Sequence, residues 1–256
     1  MMVFIGWDPS QMRVWNVAAR SLQRHASRPV EVERLDMIHL RHRGLYWRPT
    51  EAREHGYWDV ISDAPMSTGH AISRFLVPAL CDYNGWALFT DGDVLFRRDV
   101  SDLFALADPM KAVQVVQHAH VPSETTKMDG HMQTLYMRKN WSSVVLWNCS
   151  HQANRALTVD LVNTIPGRDL HRFCWLEDCL VGKLPPLWNW LVGHSDVAID
   201  PAIVHFTDGD PSLPGYEQQP FADEWREVAN ACGYTLSRPM SPPPPPDTGG
   251  LTKKSL

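Results

Sequence analysis

Two aspartates separated by one glycine, Asp91-Gly92-Asp93, follow directly on Trp86-Ala87-Leu88-Phe89-Thr90, a run apolar enough for a strand buried on both faces. Carboxylates this close repel one another unless a divalent cation lies between them. The triplet is therefore a candidate pair of metal ligands at the carboxyl edge of a parallel sheet, where α/β folds bind their ligands. Asp-Gly is also a common turn former, and a solvated turn is the alternative. The immediate return to apolar Val94-Leu95-Phe96 favours the buried rim. A second acidic turn, Thr207-Asp208-Gly209-Asp210, follows the apolar run Ala202 to Phe206, which contains His205. Imidazole with two carboxylates suits Mn²⁺ or Mg²⁺ when phosphate oxygens and water fill the other positions, so His205 is the candidate third ligand. A histidine within an apolar run also fits a purely structural position.

Positioning such a cluster requires a sheet, and the pattern supplies one. Val3 to Gly6 reads as a short buried strand, Gln11 to Ala26 as an amphipathic helix introduced by Asp8-Pro9-Ser10, and Val30 to Leu35 as a second strand. Strand, helix, strand over about 35 residues is the unit that builds parallel sheets. Residues 37 to 66 show no period, and the positions from His70 to Tyr83 predict a helix that Pro78 should kink or end. Further strands are predicted at 112 to 117, 143 to 147 and 202 to 206, with helices at 152 to 163 and 221 to 231. Residues 1 to 236 form one predicted α/β domain. The Pro- and Gly-rich residues 237 to 256 are predicted to be a disordered tail.

The 256 residues carry 24 Lys and Arg against 29 Asp and Glu, a formal charge of −5, with 44% hydrophobic residues. That is the composition of a globular domain, and without basic runs it offers no footprint for nucleic acid. No apolar stretch approaches the roughly 20 residues of a membrane span, and the N-terminus lacks the basic and apolar regions of a signal peptide. Five cysteines, the closest pair spaced as Cys174 and Cys179, match no zinc or redox spacing. They predict reduced thiols in a cytoplasmic protein.

Five segments in order resemble the glycogenin-like retaining glycosyltransferases of GT-A fold. They are Gly6-Trp7-Asp8, Ser73-Arg74-Phe75-Leu76-Val77-Pro78, Leu88 to Leu95 with its Asp-x-Asp, Ser142 to Asn148, and Leu184-Pro185-Pro186-Leu187-Trp188-Asn189 through Val204-His205-Phe206. The resemblance implies a Rossmann-like, mostly parallel central sheet flanked by helices. It also implies transfer of a hexose from a nucleotide sugar, a UDP-sugar, to a glycan or other hydroxyl acceptor with retention. Asp91, Asp93 and His205 would hold Mn²⁺ or Mg²⁺. Asp8, Arg74, Asp91, Gly92, Ser143 and Gly209 would contact the donor, with Arg74 aimed at the diphosphate. Glu177 and Asp178 stand where that family shows Asp and Gln, and are the candidates for stabilising the sugar cation or binding its hydroxyls. They also read as a helix cap. The chain departs from the family at Trp141-Ser142-Ser143, where it usually has Asn-Ser-Gly, and at Asp208-Gly209-Asp210, where a diphosphate-binding lysine is common.

Trp47, Tyr57 and Trp58, within the irregular 37 to 66 stretch, are the candidate acceptor or lid surface. Two other functions fit parts of the pattern. A nucleotide-sugar or glycan binding module without turnover accommodates the missing lysine. A haloacid-dehalogenase-type phosphatase also places Asp-x-Asp after a buried strand, but it normally begins with that strand, and here some 85 residues precede it.

Overall fold

A computed structural model describes residues 1–53, 56–118, 138 and 140–235. The expected tail at 237 to 256 lies outside the described residues. In chain order the strands are β1 (Met2–Trp7), β2 (Glu31–Asp36), β3 (Thr50–Arg53), β4 (Gly56–Asp59), β5 (Ala64–Met66), β6 (Trp86–Thr90), β7 (Val94–Phe96), β8 (Val113–Val115), β9 (Val144–Asn148), β10 (Val181–Lys183), β11 (Trp190–Leu191) and β12 (Ile203–His205). The helices are α1 (Met12–His25), α2 (Met37–His42), α3 (Val77–Leu80), α4 (Val100–Phe104), α5 (Val159–Thr164), α6 (Gly167–His171) and α7 (Ala222–Ala231).

The central sheet runs β10-β8-β9-β6-β1-β2. Its β1/β2, β1/β6 and β8/β10 pairings are parallel, while β9 runs antiparallel to both β6 and β8. This is the mixed α/β architecture of GT-A glycosyltransferases. Alternate side chains of β1 and β6 point to opposite faces, so Phe4, Ala87 and Phe89 enter one core while Val3, Ile5 and Leu88 enter the other. Helix α1 covers the second face with Ala18, Ala19 and Leu22, each larger side chain of this kind contributing about 1.5–3 kcal/mol by leaving water. A small second sheet, β11-β12-β7, extends from the end of β6 and is backed by Trp225 and Val228 of α7.

Two expectations from the sequence are corrected. The stretch from 37 to 66, which showed no period, contains regular elements: α2 is capped by Asp36, and β3, β4 and β5 form an antiparallel sheet. Its strands show little alternation because most of their side chains stay partly exposed; Tyr57 and Met66 pack on the core, and a buried ion pair adds a polar fastening. Arg48 clasps Asp59 through Nε and Nη2 at 2.6 and 2.7 Å, and its Nη1 donates to the carbonyls of Val162 and Ile165. The helix expected from His70 to Tyr83 is instead a 3-10 turn at Ser73–Leu76 leading into the four residues of α3. Pro78 takes a first-turn position, where its missing N–H costs nothing, and left-handed Asp82 and Tyr83 end the element.

Candidate active site

The connection from β6 to β7 places the two aspartates. Asp91 leaves β6 with its N–H donated to Ser143 O at 2.8 Å, and Asp93 enters β7 with its carbonyl accepting Phe206 N at 2.9 Å. The residue between must be glycine, because a Cβ on Gly92 would stand 2.6 Å from Gly6 O. Antiparallel pairing of β7 with β12 sets His205 opposite Val94, one residue from Asp93. One ligand atom from each of Asp91, Asp93 and His205 can therefore lie within 4.8 Å of the others.

A hydrogen-bond chain fixes the imidazole. Ser143 Oγ donates to Asn140 O at 2.6 Å and accepts Asn189 Nδ2 at 2.9 Å; the same Nδ2 also donates to Asn140 O at 3.2 Å. Asn189 Oδ1 is then the acceptor presented to His205 Nδ1 at 3.0 Å, so Nδ1 carries the proton. The opposite nitrogen, Nε2, is then an unprotonated acceptor 3.3 Å from Asp93 Oδ1, and two acceptors this close are stabilised by a positive charge beside them. Such a tautomer lock behind a histidine is the usual second layer of a metal site, and the three side chains fit a divalent cation.

Asp91 is held from behind. Arg74 Nη2 lies 2.7 Å and His70 Nε2 3.2 Å from its Oδ1, while Oδ2 accepts no hydrogen bond from the described residues. Burial pushes the Asp91 carboxyl up, but the Arg74 charge and the His70 hydrogen bond outweigh it and hold the pKa well below the usual carboxylate range. Arg74 also donates to Ser142 O at 2.9 Å and stacks over Phe89.

The cluster opens into a cavity of about 330 Å³ whose lining includes Arg74, Asp91, Asn140, Ser142, Ser143 and His205, together with Asp59, Ser62, Asp63, Met66, Arg168 and His171. Ser142 Oγ and His171 Nδ1 share a hydrogen bond of 2.7 Å in this wall. Asn140 is buried and left-handed, and its Nδ2 has no partner among the described residues. A smaller space of about 30 Å³ on the far side of Asp93 is lined by Thr207, Asp208, Gly209 and Asp210.

The structure thus brings together Asp91, Gly92, Asp93, His205, Arg74 and Ser143. Asp8 is nearby but engaged: Oδ1 accepts Ser10 N and Oγ, and Oδ2 accepts Gly69 N at 3.0 Å, tying the end of β1 to the loop before His70. Those hydrogen bonds outweigh the effect of burial and lower its pKa. Gly209 lies beside the smaller space, against the Tyr216 ring. Glu177 and Asp178 sit on an exposed turn, with Asp178 paired to Arg138, and neither lines the cavity. His70, Asn140 and His171 were not singled out from the sequence, and Asn189 was given no role. His70 had a readable signal, being four residues before Arg74 and hence on the same side of a helical turn. Asn189 is the polar exception in Leu187-Trp188-Asn189-Trp190-Leu191.

No family model matches the chain. Among curated proteins, Protein CDI of Arabidopsis thaliana is 43% identical over 228 residues, 87% of this chain and 83% of the relative. Among solved structures, the bifunctional glycosyltransferase WbbM superposes with a TM-score of 0.60 at 14% identity over 90% of this chain. Glycosyltransferase GlyE of Streptococcus pneumoniae gives 0.55 at 16% over 89%. The galactosyltransferase LgtC, solved with donor and acceptor sugar analogues, gives 0.53 at 13% over 92%. The chain spans about half of the WbbM chain (49%), 60% of GlyE and 98% of LgtC. At these identities the likeness to solved structures is one of fold. No helix among the described residues is long and apolar enough to cross a membrane, and their five cysteines are free.

Proposed function

This chain belongs to the family of the Arabidopsis thaliana Protein CDI, and from that premise, its fold and its site we propose that it is a metal-dependent glycosyltransferase. In this reading it moves a hexose from a UDP-sugar to a glycan or other hydroxyl acceptor with retention, as the glycogenin-like resemblance implies. The observation that carries the reading is the tautomer-locked His205 gathered with the two aspartates beside a cavity. Asp91, Asp93 and His205 would hold Mn²⁺ or Mg²⁺, which supplies neutralising charge for a departing diphosphate. Arg74 keeps Asp91 ionised and oriented. Asn140 Nδ2, unpartnered in the cavity wall, is placed to donate to a sugar hydroxyl. Trp47, 48% exposed on the segment leading into the β3-β4-β5 sheet, and Trp58 on β4 form the proposed acceptor surface.

With Glu177 and Asp178 outside the cavity, the sugar cation would be stabilised by the departing diphosphate and the cavity dipoles, and the acceptor would attack on the face the diphosphate leaves. The test is release of nucleoside diphosphate from a panel of UDP- and GDP-sugars with Mn²⁺, with and without candidate glycans. Metal-dependent release from a UDP-hexose supports the proposal. The absence of release from every donor despite nucleotide binding supports the alternative of a binding module, which the acidic Asp208-Gly209-Asp210 in place of a lysine favours. In an active enzyme, Trp47→Ala should raise the acceptor KM with little change in the donor KM.

A further inference from the structure

His70 lies outside every motif discussed so far, yet it is only 2% exposed and reaches the same oxygen of Asp91 as Arg74 does. Its ring is pressed against the end of β1: a Cβ on Gly6 would come within 2.4 Å of Cδ2 and 2.5 Å of Nε2. The Phe89 ring closes another side, with centroids 6.4 Å apart, and Asp8 holds the preceding backbone through Gly69 N. Nδ1 has no partner among the described residues, whereas Nε2 faces a carboxylate oxygen 3.2 Å away. A proton on Nδ1 would be a buried donor with nothing to bond, so the proton belongs on Nε2, the nitrogen that stands 3.2 Å from Asp91 Oδ1.

We propose that His70 is a positioning residue of this site, holding Asp91 Oδ1 together with Arg74 so that Oδ2 is the oxygen delivered to the cation. The proposal rests on the divalent-cation reading above. It adds a division of labour within one carboxylate, one oxygen fixed by protein donors and the other kept for the ion. A free carboxylate could rotate and offer either oxygen, or swing to Arg74 entirely. The two donors, on residues four apart and linked by Arg74 N donating to His70 O at 3.3 Å, exclude both. Glycine at position 6 is the complementary requirement, since any side chain there occupies the space of the ring.

The test is Mn²⁺ affinity by electron paramagnetic resonance, with saturating UDP or GDP, on the full chain and three variants. His70→Gln keeps an N–H donor; His70→Leu keeps bulk and removes it. Gly6→Ala displaces the ring without touching a donor. Wild type and Gln should agree within about threefold, while Leu and Ala should bind Mn²⁺ at least about tenfold more weakly, the scale expected when a ligand's supporting hydrogen bond is lost. Melting temperatures identify any variant that fails to fold, and Gly6→Ala reads the same geometry independently of His70→Leu. Leu binding Mn²⁺ as wild type does, or Gln and Leu falling equally, overturns the positioning role and leaves the metal site standing. No bound Mn²⁺ in the wild type with either nucleotide overturns both.

Discussion

Two arginine–aspartate pairs border the same cavity and are built to opposite ends. Arg48 and Asp59 are 0% and 2% exposed, make two parallel hydrogen bonds, and spend the remaining donors on Val162 O, Ile165 O and Ser62 Oγ. Asp59 Oδ2 also accepts Ser62 N, so the pair is closed. Arg74 and Asp91 are 7% and 17% exposed, have their nearest contact at Oδ1, and line the cavity, with no hydrogen bond from the described residues to Oδ2. The closed pair fastens the β3-β4-β5 sheet to α5 and shapes one wall. The open pair holds a charge at the cavity, which an isolated buried carboxylate could not keep. A buried ion pair thus signals fold or function according to whether its hydrogen bonds are complete.

The contrast is broken most forcefully at the closed pair. Asp59→Ala leaves the Arg48 guanidinium buried without its counter-charge and should cost about 3–5 kcal/mol in urea denaturation, with donor binding lost only through unfolding. At the open site the effect should move from stability to function. Asp93→Asn is expected to melt close to wild type yet lose about 100-fold in transfer, equivalent to about 2.7 kcal/mol, and to lose metal-dependent stabilisation by a nucleoside diphosphate. Asn189→Ala, which frees the His205 tautomer without removing a ligand, should weaken Mn²⁺ binding by about 10- to 100-fold in calorimetric titration.

The smallest effect lies in pH. A depressed carboxyl pKa contributes stability that is complete above its unfolded value, near about 4, and is lost as pH falls below that. The melting-temperature difference between wild type and Asp91→Asn should therefore stay constant from pH 8 to 5 and shrink below about pH 4. A difference that persists unchanged as pH falls from 4 to 2 contradicts the Arg74–Asp91 arrangement.

The sequence carried the rim of the site better than its walls. A buried strand ending in Asp-Gly-Asp and a second ending in histidine are local patterns, and β6, β7 and β12 appear where they indicate. That β12 pairs with β7, which puts His205 beside Asp93, is a long-range fact no local pattern encodes. The direction of β9 was equally unreadable, because Val144 to Trp147 is apolar throughout whichever way it runs. The β3-β4-β5 sheet escaped notice because Arg48 and Asp59, which help fasten it, look like surface charges until their mutual pairing and the distant carbonyls of Val162 and Ile165 are known. For Glu177 and Asp178, charge alone could not distinguish a cavity wall from an exposed turn.

The claim on which the account depends is that Asp91, Asp93 and His205 ligate one divalent ion. A crystal of the protein grown with Mn²⁺ and UDP, measured at the manganese absorption edge, tests it directly. The account predicts an anomalous peak within coordination distance of Asp91 Oδ2, Asp93 and His205 Nε2, shared with the diphosphate. A crystal containing bound UDP with no manganese between these side chains, or with the peak at Asp208 and Asp210 instead, would contradict it.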